Sequence, residues 1–128
     1  MVDRMVRLSL REFERLVLKA LDGLPPSIRQ RMDNVDVVVD EWPSPDDLEE
    51  AGLEDRHDLF GLYQGIPLTE RTHYDMALPD KITIFQRPIE AVCATRADMV
   101  KEVRVTVVHE VAHHFGLSDA ELEHTDYG

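Results

Sequence analysis

The segment at residues 97–115 constrains this sequence most, because its apolar residues indicate a strand locally and a helix over the full length. Valine prefers strands, and Val103–Val107 alternates apolar and polar residues as a half-buried strand does. The whole segment is nevertheless too long for an ordinary strand, and its apolar side chains fill one broad arc when each residue advances by about 100°. Thr95 and Asp98 have approximate capping-box spacing just before it. The sequence therefore predicts a long helix with one face in the core.

The other face of this helix carries residues suited to metal binding. His109 and His113 are four positions apart, and on a helix this spacing places two side chains on one face with Cβ atoms about 5–6 Å apart. Two imidazoles can then bind one zinc ion, whereas on a strand they would be about 13 Å apart. Glu110 lies about 100° round the helix from His109 and can reach a water beside the metal without binding the metal. The pattern predicts a zinc site with Glu110 as catalytic base.

A catalytic zinc site needs a third protein ligand and one open position. Gly116 stands where the apolar pattern stops, and glycine can end a helix in the left-handed conformation. The chain can then turn back and present Asp119 to the metal. Three further residues are competing donors: Glu121, Glu123 and His124.

Other polar residues near the motif have less defined roles. His114 lies about 140° round the helix from His109, so we expect it to pack or to support a ligand. Thr106 and Glu102 lie one and two turns before His109, where each either orients an imidazole or faces solvent. The remaining histidines are expected at the surface: His57 and His73.

Length and charge limit the class of protein. With 128 residues, 43% of them hydrophobic, we expect a single domain over residues 1–128 with one core. The net charge of −12 repels phosphate backbones, which argues against nucleic acid as a partner. One acidic run lacks the spacing and central glycine of a calcium loop, so we expect a solvated face there: Asp46, Asp47, Glu49, Glu50, Glu54 and Asp55.

Cys93 is the single cysteine, so the chain has no internal disulfide framework, which fits a reducing compartment. Charges interrupt the first residues too often for the apolar core of a signal peptide. No apolar run approaches the length of about 20 residues that spans a bilayer. We therefore expect a cytoplasmic protein without a membrane partner.

The rest of the chain alternates helical and strand patterns. Ser9 and Glu12 form a capping-box pattern at the start of an amphipathic helix that Gly23 ends. Runs of β-branched residues bounded by proline or glycine predict the strands. The predicted elements are a helix over 9–23, a short helix from Pro25-Pro26, a strand Val35–Trp42, a helical turn Asp46–Ala51, a strand Leu59–Tyr63, a loop Ile66–Pro79, a strand Lys81–Gln86 and a short helix from Pro88 to about Ala94.

The metal motif also resembles a known family. The pattern His109-Glu110-x-x-His113-x-x-Gly116-x-x-Asp119 is similar to the extended motif of the zincin metallopeptidases, in particular the small bacterial mini-zincins. Three stretches add to the likeness, which spans roughly residues 35–125: Gly65–Arg71, Pro79–Phe85 and His113–Gly116. One departure is that larger metzincins have a histidine where this chain has Asp119.

This resemblance implies an α+β, minimal zincin-like fold, in which a small mixed sheet packs on helices and the metal-binding helix lies near the C-terminus. It implies His109, His113 and Asp119 as zinc ligands and Glu110 as the base. In zincins an extended substrate pairs with a sheet edge, and we expect Lys81–Gln86 to be that edge.

The leading hypothesis is therefore a zinc-dependent hydrolase that cleaves peptide bonds in a peptide or protein substrate. The alternative is a non-catalytic, metal-stabilised protein-interaction module, although a purely structural zinc does not need Glu110. A metal-dependent ribonuclease is a third possibility, which the acidic surface and Glu110 disfavour.

We predict that Asp119, rather than His124, completes the metal site. Asp119→Ala should weaken zinc affinity strongly, because a carboxylate ligand is removed, whereas His124→Ala should leave it nearly unchanged. Competition with a chelating zinc indicator measures both affinities. A structure with zinc on His124 and Asp119 turned to solvent would reverse the assignment.

Overall fold

Five α-helices, one 3-10 turn and a three-stranded sheet form the part of the chain that the computed structural model describes, residues 7–65 and 79–117. The α+β class that the sequence predicts is confirmed. The elements are α1 (Leu10–Asp22), α2 (Pro26–Arg31), β1 (Val35–Asp40), α3 (Pro45–Ala51), the 3-10 turn (Arg56–Asp58), β2 (Gly61–Gln64), β3 (Asp80–Phe85), α4 (Gln86–Val92) and α5 (Arg96–Phe115).

Residues 97–115 are helical, as predicted, within the twenty-residue helix α5. The Asp98 N–H donates to the Thr95 hydroxyl at 3.0 Å, which caps the first turn. At the other end Gly116 adopts the left-handed conformation with φ 64°, and its N–H reaches the last carbonyls of the helix. No helix in the described ranges, α5 included, combines the length and apolarity that crossing a membrane requires.

The apolar face of α5 packs between the sheet and α1. Met99, Val103 and Val107 on α5 are fully buried in one cluster with Phe13 of α1 and Ile82 of β3. The capping box predicted for α1 is present, since Ser9 and Glu12 exchange side-chain to backbone hydrogen bonds of 2.9 and 3.1 Å. The core therefore holds α5 along most of its length, and the polar face of the helix remains outside.

The strand β3 lies in the middle of the sheet, between β1 and β2. It pairs in parallel with β1 and antiparallel with β2. The prediction that Lys81–Gln86 forms an open edge is therefore wrong. Both faces of β3 are covered, because Ile82 and Ile84 meet α5 while Thr83 and Phe85 are buried towards the opposite side. Among the described strands the sheet edges are β1 and β2, and β2 is the one beside the histidine-bearing end of α5.

A second, smaller apolar cluster lies on the face of the sheet opposite α5. Its buried members are Leu59, Leu62 and Phe85, and the partly buried side chains packed on it come from α3 and the segment after it: Leu48, Ala51 and Leu53. The four-residue strand β2 consequently separates α5 on one side from α3 on the other. The acidic run predicted as a solvated face lies along and after α3, and most of its side chains are exposed.

The short helix α4 holds the segment that precedes α1. It begins at Gln86, before the predicted start at Pro88, because proline is tolerated in a first turn whose N–H groups lack helical partners. The buried carboxylate of Glu90 accepts the Leu8 N–H at 2.8 Å and an Arg87 N–H at 2.7 Å. The buried Gln86 amide donates to the Leu8 carbonyl at 2.9 Å. Arg87 adds a third contact, a guanidinium N–H that donates to the Leu8 carbonyl at 3.4 Å, so three side chains of α4 hold the backbone of Leu8.

Candidate active site

The two histidines of the motif lie one turn apart on the outer face of α5. Both His109 and His113 are exposed, while Val108, Val111 and Ala112 beside them are buried. The helix on which the metal prediction depends is therefore present and continuous through both positions. Two imidazoles four residues apart on such a face are accessible to one metal ion, and neither is occupied in packing the core.

Glu110 is joined to the edge of the sheet rather than turned to solvent. Its Oε1 accepts the backbone N–H of Tyr63 at 2.9 Å. Tyr63 is paired opposite Ile82 of β3. Because the Tyr63 N–H donates to Glu110, it points away from β3 and towards the outer side of β2. The Glu110 carboxylate thus accepts a backbone N–H on the outer side of β2. This hydrogen bond fixes where the half-buried side chain lies relative to His113.

The aromatic ring of Tyr63 is held from several sides. The His114 ring stacks on it with centroids 3.9 Å apart and planes 18° apart, and Phe115 meets it edge-on at 6.1 Å. The Tyr63 hydroxyl donates to Asp80 Oδ2 at 2.7 Å. The packing role predicted for His114 is confirmed. Because the ring is fixed, the backbone N–H that binds Glu110 is fixed with it.

Gly61 allows β2 to approach α5 closely. A Cβ at this position would lie 2.6 Å from Thr106 Cγ2, which is well inside van der Waals contact. Thr106 is accordingly buried beneath β2. Of the two alternatives predicted for it, exposure to solvent is therefore wrong. Sequence reasoning missed Tyr63 and Gly61 as parts of the site. The available signal was Gly61 itself, since a glycine inside a strand often marks a close backbone approach.

A cleft of about 410 Å³ runs over the edge of the sheet, from the motif on α5 to the end of α3. On the α5 side it is lined by Glu110, His113 and His114. Three residues of β2 line its middle: Gly61, Leu62 and Tyr63. The far wall is Glu50, Ala51, Leu53 and Leu59. The catalytic base that the sequence predicts therefore faces a concave space, as a substrate site requires.

The third ligand predicted from the sequence, Asp119, lies outside the described residues, as do its rivals Glu121, Glu123 and His124. Within residues 7–65 and 79–117, no set of three His, Cys, Asp or Glu side chains is arranged to hold a metal ion. The described part of the candidate site therefore consists of His109, His113 and Glu110.

Other candidate groups lie apart from the cleft. His57 is more than half exposed, as predicted, and its Nδ1 lies 2.9 Å from Asp55 Oδ1. The Cys93 thiol is mostly buried, and this burial, together with the carboxylates of Glu102 and Asp98, raises its pKa to about 11. A thiol with so high a pKa stays protonated at neutral pH and is a poor metal ligand. His73 lies outside the described residues.

Comparison with known proteins identifies the family. The profile of the zincin-like metallopeptidases matches residues 32–128, three quarters of the chain, and the chain belongs to that family. Among solved structures, a conserved hypothetical protein from Thermo thermophilus has a similar fold, with a TM-score of 0.52 and 21% sequence identity over 88% of this chain and 99% of that chain. No curated protein sequence matches this chain significantly. The family match agrees with the resemblance carried by the motif on α5, and the structural likeness supports the minimal zincin-like fold.

We predict that Gly61→Ala will destabilise the fold by about 1–3 kcal/mol, because the new methyl group overpacks the contact with Thr106. Thr106→Ser removes the opposing Cγ2, so the double variant should be more stable than the sum of the single effects predicts, with a coupling energy of about 0.5–3 kcal/mol. Urea denaturation of the natural chain, the two single variants and the double variant gives the four unfolding free energies of this double-mutant cycle. Strict additivity would show that the close approach of β2 to α5 has no energetic consequence.

Proposed function

We propose that this protein is a zinc-dependent hydrolase that cleaves peptide bonds, with Glu110 as the general base. The observation that carries the proposal is the position of Glu110, whose carboxylate is tied to the edge of the sheet and lines the same cleft as His113. A histidine pair that served only to close the fold would not need a carboxylate aimed into a cleft. Membership of the zincin-like metallopeptidase family supports the same conclusion.

The donor set fits zinc. His109 and His113 are exposed imidazoles one turn apart, and imidazole together with a carboxylate is a ligand combination that zinc accepts. We propose His109, His113 and Asp119 as the ligands. Bound zinc supplies Lewis acidity, which polarises a carbonyl and lowers the pKa of water to about 7.

The residues of the chain supply proton transfer and binding. Glu110 takes a proton from the attacking water and passes it to the leaving amine. The hydrogen bond from the Tyr63 N–H orients one carboxylate oxygen, which leaves the side chain in a single position for both transfers. The peptide would lie along the cleft beside β2, which replaces β3 as the edge that faces the substrate.

We also propose a reducing compartment, the cytoplasm, as the location. The single cysteine, Cys93, is buried and carries a free thiol. A protein without disulfides has no requirement for an oxidising environment.

Metal content is the first test. Protein purified without chelator should contain about one zinc ion per chain. His109→Ala or His113→Ala should lose most of it, because the two remaining ligands bind zinc much more weakly than three. Elemental analysis by mass spectrometry measures the stoichiometry. His57→Ala is the matched control and should keep its zinc, since His57 lies on the exposed 3-10 turn. Zinc-supplemented protein that retains no transition metal would refute the site.

Glu110 is the second test. Glu110→Gln keeps an oxygen that accepts the Tyr63 N–H but cannot take a proton, so it should retain zinc and lose peptide cleavage by a factor of about 10² or more. Digestion of an unbiased peptide mixture, followed by mass spectrometry, measures the cleavage. Glu14→Gln on the exposed side of α1 is the control and should behave as the natural chain does. Loss of zinc from Glu110→Gln would mean that Glu110 is a ligand, and the catalytic role would be wrong.

A further inference from the structure

The wall of the cleft opposite Glu110 is apolar, with an acidic residue at its rim. We infer that its far wall is a specificity site, which accepts a large apolar side chain of the substrate and favours a basic residue next to it. This inference rests on the proposed peptidase function and adds the substrate class to it. Its support is the lining of the cleft, the incomplete burial of that lining and the charge at the rim.

The apolar part of the far wall belongs to the smaller cluster of the fold. Leu59 and Leu62 are buried, whereas Ala51 and Leu53 are only partly buried and line the cleft. This cluster is thus open towards the cleft, and a ligand that covers its exposed apolar surface is bound more tightly because that surface is removed from water. A leucine or phenylalanine side chain of the substrate could cover the exposed surface of Ala51 and Leu53 in this way.

The apolar wall is continuous with the catalytic residues. The edge strand β2 is the only element between them in the described part of the cleft. A side chain placed against Ala51 and Leu53 therefore leaves its own backbone next to β2, on the side where Glu110 and His113 lie. The volume of about 410 Å³ is within the range of about 300–1,000 Å³ typical of ligand sites, so it holds more than a single side chain.

Volume alone would not identify the site, because other surface cavities of this chain are similar in size. A cavity between α1 and the start of α5 has about 350 Å³ and is lined by Glu12, Arg15, Leu16, Lys19, Arg96, Ala97 and Val100. That cavity contains none of the motif residues. The cleft at β2 is distinguished by sharing its lining with both Glu110 and His113.

The rim of the cleft is acidic. Glu50 lines it, and the Gln64 amide donates to its Oε1 at 3.0 Å, which holds the carboxylate beside β2. Two cations lie in the neighbourhood without lining the cleft. Arg56 packs over the Trp42 ring at 3.9 Å, and Lys81 is the cross-strand partner of Gln64. With a net charge of −12 on the whole chain, the field at the rim favours a basic residue and repels an acidic one.

The first experiment measures the preference directly. The zinc-loaded chain digests a peptide mixture that contains all residues at every position, and mass spectrometry gives the residues that flank each cut. We expect leucine or phenylalanine over alanine at one flanking position by about 10-fold or more, since apolar pockets discriminate single methylene groups by roughly 10–200-fold. We expect lysine or arginine over glutamate at an adjacent position by only a few-fold, because Glu50 is exposed to solvent.

Variants with matched controls then assign these preferences to the wall. Ala51→Leu fills the cleft and should abolish the preference for large side chains, whereas Ala91→Leu, on the exposed side of α4, should retain it. Glu50→Gln keeps an acceptor for Gln64 while removing the charge, so it should lose the preference for basic residues. Glu49→Gln is its control, because Glu49 is exposed on the same helix and does not line the cleft. If Ala51→Leu fails to fold, Leu53→Ala should enlarge the cleft and shift the preference from leucine towards tryptophan.

A binding measurement separates this inference from the proposed function. Fluorescence anisotropy with the Glu110→Gln chain compares three labelled heptapeptides, which alternate lysine with leucine, lysine with alanine, and glutamate with leucine. The lysine–leucine peptide should bind most tightly, and Ala51→Leu should remove its advantage over the lysine–alanine peptide. Absence of cleavage with this order of binding would refute the peptidase proposal and leave the specificity site standing. Equal binding of the three peptides, or cleavage without flanking preference, would overturn the inference.

Discussion

The burial of one face of α5 is the constraint on which the rest of this structure depends. Valines along that face pack against β3 and α1, so the helix cannot rotate without exposing them. The orientation of His109 and His113 towards the outside follows from that packing, as does the position of Glu110 at the sheet edge. Residues with no metal-binding chemistry thus determine where the two histidines point.

The edge strand β2 links this helix to the remainder of the cleft. Gly61 brings β2 close to Thr106, and the neighbouring Tyr63 then reaches Glu110 with its backbone N–H. Fixing a carboxylate through a main-chain donor needs no additional polar side chain. The same strand presents Leu62 to the opposite face, where the apolar cluster with α3 begins. One short strand therefore contacts both Glu110 and the smaller apolar cluster.

The helices, their caps and the motif could be predicted because each is encoded locally. Ser9 with Glu12, Thr95 with Asp98, and Gly116 act within one turn of their own helix, so spacing along the chain was sufficient. The position of β3 could not be predicted in this way, because strand order depends on pairings between distant residues. Thr83 illustrates the difficulty, since a polar residue between two isoleucines suggests an exposed face, yet Thr83 is buried. The link between Tyr63 and Glu110 is also non-local, and the identity of the third ligand stays a prediction.

The N-terminal helices show that a family boundary and a folding boundary need not coincide. The family profile begins at residue 32, after α1 and α2 have ended. Phe13 and Val17 of α1 nevertheless share the core cluster with the buried face of α5, and Arg104 of α5 donates to the Ala20 carbonyl at 2.9 Å. The part of the sequence that the family profile matches thus shares its core with a part that the profile does not match. Sequence changes in α1 and α2 would therefore alter the packing behind His109 and His113 without changing the motif by which the family is recognised.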